Sequence, residues 1–268
     1  MRAIRRVFVV GALSALVVAL VPSAGAQTRT VTSVIGSADG LFVGLEIDVV
    51  LPVDQVGAQQ VDLTFGPEPS VTLPPTGGSV SEQVLNVDES VPPISLTAAV
   101  LTAAAEGALG PDGFATAETT VADLSLAEEI IDSVGAQQLT DPIIAAELIS
   151  ATCAADLTGV SGTTTLVGAS VLGETLDVEP EPNTEFTIAL DSFATVGVTL
   201  NRQVQNPDGS LSVTPLVLEI ELDLEIATVT GTLQVGPATC GVVEGVEEAP
   251  LEVPAPAQAV PAQVRFTG

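Results

Sequence analysis

Between residues 216 and 226 every second position is Leu or Ile, and from Glu219 onward every position between them is Glu or Asp. A helix would mix these two sets around one cylinder; an extended chain puts them on opposite faces. The segment therefore reads as a half-buried strand. Leu216, Leu218, Ile220, Leu222, Leu224 and Ile226 point inward, and Glu219, Glu221, Asp223 and Glu225 point outward. Residues 41–51 repeat the pattern, with Leu41, Val43, Leu45, Ile47, Val49 and Leu51 opposite a face that carries Glu46 and Asp48.

Shorter Thr/Val-rich stretches at 61–65, 79–87, 94–104, 115–126, 143–152, 163–172, 184–190 and 195–203 extend the β reading. Turn signals stand between them at Gly66-Pro67, Pro74-Pro75-Thr76-Gly77-Gly78, Pro92-Pro93, Pro111-Asp112-Gly113 and Asn206-Pro207-Asp208-Gly209. The expectation is an all-β fold, an antiparallel sandwich or jelly-roll-like arrangement. Residues 125–135 are the one helical candidate, with Ser125 as N-cap, Glu128 in the first turn and Gly135 as terminator. A sub-boundary between two β domains would fall near 127–142. Residues 94–107 and 143–156 echo each other as Ala-rich stretches, which a duplicated unit or shared composition explains equally.

The two ends differ from the middle. Arg2, Arg5 and Arg6 precede an apolar run over residues 7–21, and Ala24-Gly25-Ala26 precedes Gln27. That is the three-part pattern of a secretory signal peptide, residues 1–26. The run falls short of the ~20 apolar residues of a permanent span, so no stable membrane span is expected after cleavage. The ectodomain then covers 27–243. From Glu244 to Gly268 acids (Glu244, Glu247, Glu248, Glu252) give way to Pro250, Pro254, Pro256 and Pro261 among Ala, a composition that favours an extended stalk.

Charge and missing residue types narrow the chemistry. The chain has 34 acidic residues against six basic ones, a net charge of −28, and no His, Trp or Tyr. All six basic residues are Arg, so neither His nor Lys is present to activate a Ser or Cys nucleophile. The acidic balance excludes nucleic acid as a partner, because phosphate contacts need a basic surface. Paired carboxylates remain the one catalytic kit, as in glycoside hydrolysis, but no Asp/Glu pair stands out. The expectation is a protein that is not an enzyme and that has no cofactor.

Cys153 and Cys240 are the two cysteines, and in an exported chain their even parity predicts a disulfide. The rival readings are two free buried thiols or a metal pair, the latter lacking two further soft ligands. The ladder Glu219, Glu221, Asp223 and Glu225 spaces carboxylates about 6.5–7 Å apart along one face. It is a candidate Ca2+ site if the oxygen-rich loop at residues 206–210 contributes ligands; the alternative is a solvated face that guards the strand against aggregation. Leu73-Pro74-Pro75-Thr76-Gly77 matches a sortase motif by letters, but its early position reads as a strand end running into a turn.

One further set of residues carries a resemblance. Ala151-Thr152-Cys153 is followed by Gly159 to Leu166 (GVSGTTTL), Pro182-Asn183-Thr184 and Val198 to Gln203 (VTLNRQ), with Ser37-Ala38-Asp39-Gly40-Leu41 and Thr72-Leu73-Pro74 upstream. The order resembles the secreted bacterial choice-of-anchor P family over most of residues 36–243. The resemblance implies an exported, surface-associated protein of actinobacterial type with no known activity to carry over. The chain departs from that family where no anchoring helix follows the Pro-rich tail. The expected function is a secreted or cell-surface structural or adhesion-type β-protein, with a cell-wall or surface polymer as partner. The alternative is a calcium-dependent module that binds glycans or surface polymers and gathers divalent cations.

Overall fold

The computed structural model describes residues 28–49, 59–91, 94–128, 141–190, 194–224 and 227–247. The expected signal peptide, Pro92-Pro93, most of the proposed helix and the expected tail beyond Glu247 lie outside them. Among the described residues the secondary structure is strand. In chain order these are β1 (Thr28–Val49), β2 (Gln59–Thr72), β3 (Gly78–Val91), β4 (Ile94–Ala108), β5 (Phe114–Glu128), β6 (Ile144–Asp156), β7 (Gly159–Val167), β8 (Ser170–Val171), β9 (Glu174–Thr175), β10 (Thr184–Leu190), β11 (Ala194–Gln205), β12 (Leu211–Leu224), β13 (Ala227–Val235) and β14 (Ala238–Glu247).

They form two antiparallel sheets that face each other as a sandwich. One runs β10-β11-β12-β13-β1-β14, with β2 on the free side of β1; the other runs β3-β4-β5-β6-β8-β9, with β7 also on β6. The expected strands are present, except that 163–172 divides at Gly168-Ala169 into β7 and β8, and the alternation at 41–48 and 216–223 places every inward Leu, Ile and Val in the core. Residues 28–247 make one compact unit. The sub-boundary expected near 127–142 falls between β5 and β6, which pair from Phe114↔Asp156 to Leu126↔Ile144, so it divides nothing.

Three expectations need correction. Ser125 is no N-cap: Ser125 to Glu128 complete β5, paired with β4, because Leu124 and Leu126 gain full burial on the strand face. Gly66-Pro67 is not a turn. β2 runs through it, with cis bonds at Gly66-Pro67 and Glu68-Pro69 and a register shift against β1 between Leu41 and Val43. Proline is tolerated there because β2 is an edge strand and its missing N–H is needed by no neighbour. Last, the tail does not begin at Glu244, since β14 continues to Glu247 opposite Thr28.

The core has two parts of different composition. One is mostly Leu, Ile and Val, among them Leu41, Ile47, Ile94, Leu101, Leu126 and Ile149. The other is mostly Ala and Val, with Ala103, Ala105, Ala115, Ala117, Ala151, Ala155, Ala238 and both cysteines. Facing sheets normally lie ~10 Å apart, yet Cys153 and Cys240 on opposite sheets have Cα atoms 5.6 Å apart. Small side chains permit that approach, so the sandwich narrows from a Leu/Ile end to an Ala/Cys end. The Ala-rich echo follows from this: β4 and β6 flank β5 and run the same way, each from Ile at the wide end to Ala at the narrow end.

The change of composition coincides with breaks across both sheets. In the β3–β6 sheet the ladder is interrupted at Asn86, Ala99, Asp123 and Glu147, without loss of register. Asn86 and Asp123 have φ of 58° and 52°, which short polar side chains accommodate better than most residues. The inward face moves by one residue there: Leu96 and Ala98 precede Leu101 and Ala103, and Ile144 and Ala146 precede Ile149 and Ala151. In the other sheet the break runs through Asn201 and Pro215 and through the Gly236-Pro237 step between β13 and β14. Thr119 Oγ1 on β5, four residues before Asp123 in an intact part of the ladder, donates to the Gly236 carbonyl at 2.6 Å, fully buried, and so ties β5 to the break in the facing sheet.

Candidate functional site

Cys153 leaves β6 inward and Cys240 leaves β14 inward; their sulfurs are bonded at 1.99 Å and both residues are wholly buried. The pair closes a separation of 87 residues, which chain-entropy arithmetic values at about 4–5 kcal/mol. A bridge between facing sheets stops them parting, which strand hydrogen bonds within each sheet cannot do. The sequence-predicted pairing is therefore present, at the narrow end.

The acidic ladder sits elsewhere. Glu219, Glu221 and Asp223 are exposed on the outer face of β12, while Glu225 lies outside the described residues. Across the strands, Glu219 faces Gly197 and Thr232, Glu221 faces Thr195 and Thr230, and Asp223 faces Thr228. Beyond β13, Thr230 faces Glu46 and Thr228 faces Asp48. A column of Thr thus separates two columns of acids by two strand spacings, about 9–10 Å. A calcium ion needs oxygens converging at 2.3–2.6 Å, and among the described residues no group of three Asp, Glu, His or Cys side chains converges. The loop at 206–210 does not complete the ladder either. It precedes Leu211, and the strand from there to Glu219 spans roughly 26 Å at about 3.3 Å per residue. In that loop the Asp208 carboxylate accepts from Ser210 Oγ (2.7 Å) and Ser210 N (3.0 Å), which hold its pKa below the usual carboxylate value.

A third group, singled out by sequence order alone, comes together in space. Asn201, buried with φ of 48°, donates from Nδ2 to the Pro180 carbonyl at 2.9 Å, and its own carbonyl accepts from Asn183 N at 2.9 Å. Asn183 Oδ1 accepts from Gln203 N at 2.9 Å. Gln203 Nε2 donates to Asn201 Oδ1 at 3.0 Å and to the Gly162 carbonyl at 3.1 Å. The Pro-Asn turn, the Asn-x-Gln strand and the Gly-Thr-Thr-Thr strand are thus one junction that joins β11 of one sheet to β7 of the other. Beside it lies a cleft of about 440 Å³ walled by Thr163, Thr165, Glu179 and Pro182. Thr164 in its wall is 5% exposed, and its Oγ1 has no hydrogen-bond partner.

Sequence reading missed two features. Glu244 was assigned to the tail, yet it forms a bidentate ion pair with Arg29, through Nε at 3.0 Å and through Nη2. The guanidinium, chiefly by these hydrogen bonds, holds the Glu244 carboxyl below its ordinary pKa. The signal was available only as composition, since Arg29 is one of six basic residues set among 34 acids. The Thr119–Gly236 contact had no local signal, being set by how two distant strands meet. Comparison with known protein families, with curated proteins and with solved structures finds no match to this chain.

Proposed function

We propose that the chain is a secreted or cell-surface β-protein with a structural or adhesion role and no catalytic one. The buried cross-sheet disulfide carries this reading, because such bonds persist in oxidising compartments outside the cytosol. The signal-peptide pattern of residues 1–26, the strongly acidic charge balance and the resemblance to choice-of-anchor proteins of actinobacteria support it. Two long-stranded sheets, bonded covalently where they come closest, suit a body that transmits contact rather than one that moves. The partner class is a cell-wall or surface polymer.

Expression of the full chain in a bacterial host, followed by fractionation and intact-mass measurement, tests the proposal. A species starting at Gln27, with both cysteines oxidised, is expected in the envelope or the medium. An uncleaved chain with free thiols in the cytosol would overturn it. The calcium-dependent reading rests on the exposed acids of β12 and is separated by the melting experiment described below.

A further inference from the structure

At the narrow end of the sandwich the outer face of β5 begins with Phe114, directly opposite Asp156 of β6. Phe114 is half-buried, as are Phe42 and Phe65, in a chain with seven Phe and no Trp or Tyr. A depression of about 300 Å³ opens beside it, between the β4–β5 turn and the β6–β7 turn. Its walls are Pro111 and Leu157, apolar, and Asp112 and Asp156, both exposed carboxylates. A second depression of about 310 Å³ continues past Phe114 toward Thr116 and Ser161.

Both walls are fixed. The β4–β5 turn is tied to β1 by Val31 N to Gly110 O at 2.8 Å and Gly110 N to Val31 O at 3.0 Å. Gly113 packs so closely that a Cβ there would lie 2.4 Å from Val31 Cβ. On the other side, Asp156 Oδ1 accepts from Thr158 N (2.6 Å), Thr158 Oγ1 and Gly159 N (3.3 Å). These bonds hold the carboxyl below its ordinary pKa, the Thr158 hydroxyl contributing most. They leave Oδ2 free to accept from outside.

An aromatic face, two carboxylates and two aliphatic walls in one fixed depression match a cation on an apolar stem. The stem packs on Pro111 and Leu157, the charge lies over the negative face of the ring, and the N–H donors reach the carboxylates. Arginine fits better than lysine, because its planar guanidinium stacks on an aromatic ring while still donating at its edge. The acidic surface around the site repels phosphate and other anions and attracts cations. We propose that the cleft between Asp112, Phe114 and Asp156 receives an arginine side chain of a partner peptide. The proposal rests on the adhesion reading for its biological meaning and names the partner chemistry that reading leaves open.

The aromatic proton spectrum makes the test direct, since with no His, Trp or Tyr it contains phenylalanine rings alone. The purified chain is titrated in deuterated buffer at low salt with the peptide acetyl-Gly-Arg-Gly-amide and with its citrulline counterpart, which has the same shape without the charge. The Arg peptide should shift one ring system, and that ring should be absent from the Phe114→Leu spectrum. Asp112→Asn with Asp156→Asn should weaken binding roughly tenfold. Asn at 156 can still accept the turn's hydrogen bonds, so the fold is kept. Glu219→Gln with Glu221→Gln removes the same charge far away and should change affinity by less than about twofold. Equal binding of the citrulline peptide, equal loss in the distant variant, or no shift at Phe114 would each overturn the proposal. Such a failure leaves the exported-adhesion reading standing, whereas a cytosolic, uncleaved chain removes that reading without touching the cleft.

Discussion

Replacing Gly162 by alanine probes the narrow end with a single methyl group. Gly162 lies on β7 opposite Cys153, and a Cβ built there would stand 2.2 Å from Cγ2 of Val213 on the facing sheet. Val213 is wholly buried, and a β-branched side chain has little rotamer freedom with which to retreat. The strands must therefore move apart, against the disulfide next to them. Overpacking of this kind costs about 1–3 kcal/mol, and at 2–4 °C per kcal/mol for a domain of this size the melting temperature should fall by about 2–12 °C. The backbone at Gly162 is in no left-handed region, so the cost is steric alone. Val213→Ala, which by itself leaves a cavity worth about 1–3 kcal/mol, vacates the space the new methyl needs. Thermal melts of the two single variants and the double should then be non-additive by at least about 1 kcal/mol, the double being more stable than the sum predicts. Additive losses, or a Gly162→Ala variant as stable as the parent, would show that the sheets do not meet as closely as described.

Removing the bridge with Cys153→Ala and Cys240→Ala should lower stability by about 2–5 kcal/mol in chemical denaturation, whereas mild reductant should leave the folded parent oxidised because both sulfurs are buried. Calcium at about 5 mM should give the same melting temperature as matched ionic strength, to within about 1 °C; a rise specific to calcium would establish a cation site that the separated acid columns do not provide. For Glu244, whose folded pKa is depressed by Arg29, the stabilisation is present above the unfolded-state pKa and is lost as pH falls through the folded value. Arg29→Gln should move the Glu244 carboxyl titration, followed by carbon NMR, upward toward its ordinary midpoint. Asn183→Ala should leave the Gln203 amide without its acceptor, and faster hydrogen exchange at Gln203 checks this.

The strands that sequence exposed best are those with one face in the Leu/Ile part of the core. At Leu41 to Asp48 and Leu216 to Asp223 the inward side chains are large and the outward ones charged, so periodicity alone places them. β13 and β14 escaped notice for different reasons. In β13 the inward sequence Val229, Gly231, Leu233 is broken by a glycine whose missing side chain admits the Gly44 carbonyl. In β14 the inward residues Ala238 and Cys240 are small because the facing sheet is close, and Ala carries little periodic signal. The disulfide was legible from parity and compartment. The Asn183–Asn201–Gln203 junction was visible only as letters that carry a resemblance, since hydrogen bonds between elements twenty residues apart leave no periodicity. Asp112, Phe114 and Asp156 could not be grouped in advance, because they meet through the pairing of β5 with β6.

The two chain connections of the sandwich leave side by side: Thr28 opens β1 and is paired with Glu247, the last residue of β14. A load applied across those two points acts on the β1–β14 ladder one rung at a time, beginning with the rung beside the Arg29–Glu244 pair. Opened this way, hydrogen bonds break in sequence rather than together, and each offers little resistance. The fork can travel along β14 no farther than Cys240, where a covalent bond to β6 passes the load into the opposite sheet. The sulfur bridge is then a mechanical stop as well as a thermodynamic cross-link, limiting how much of β14 a pulled chain can surrender before both sheets must bear the force.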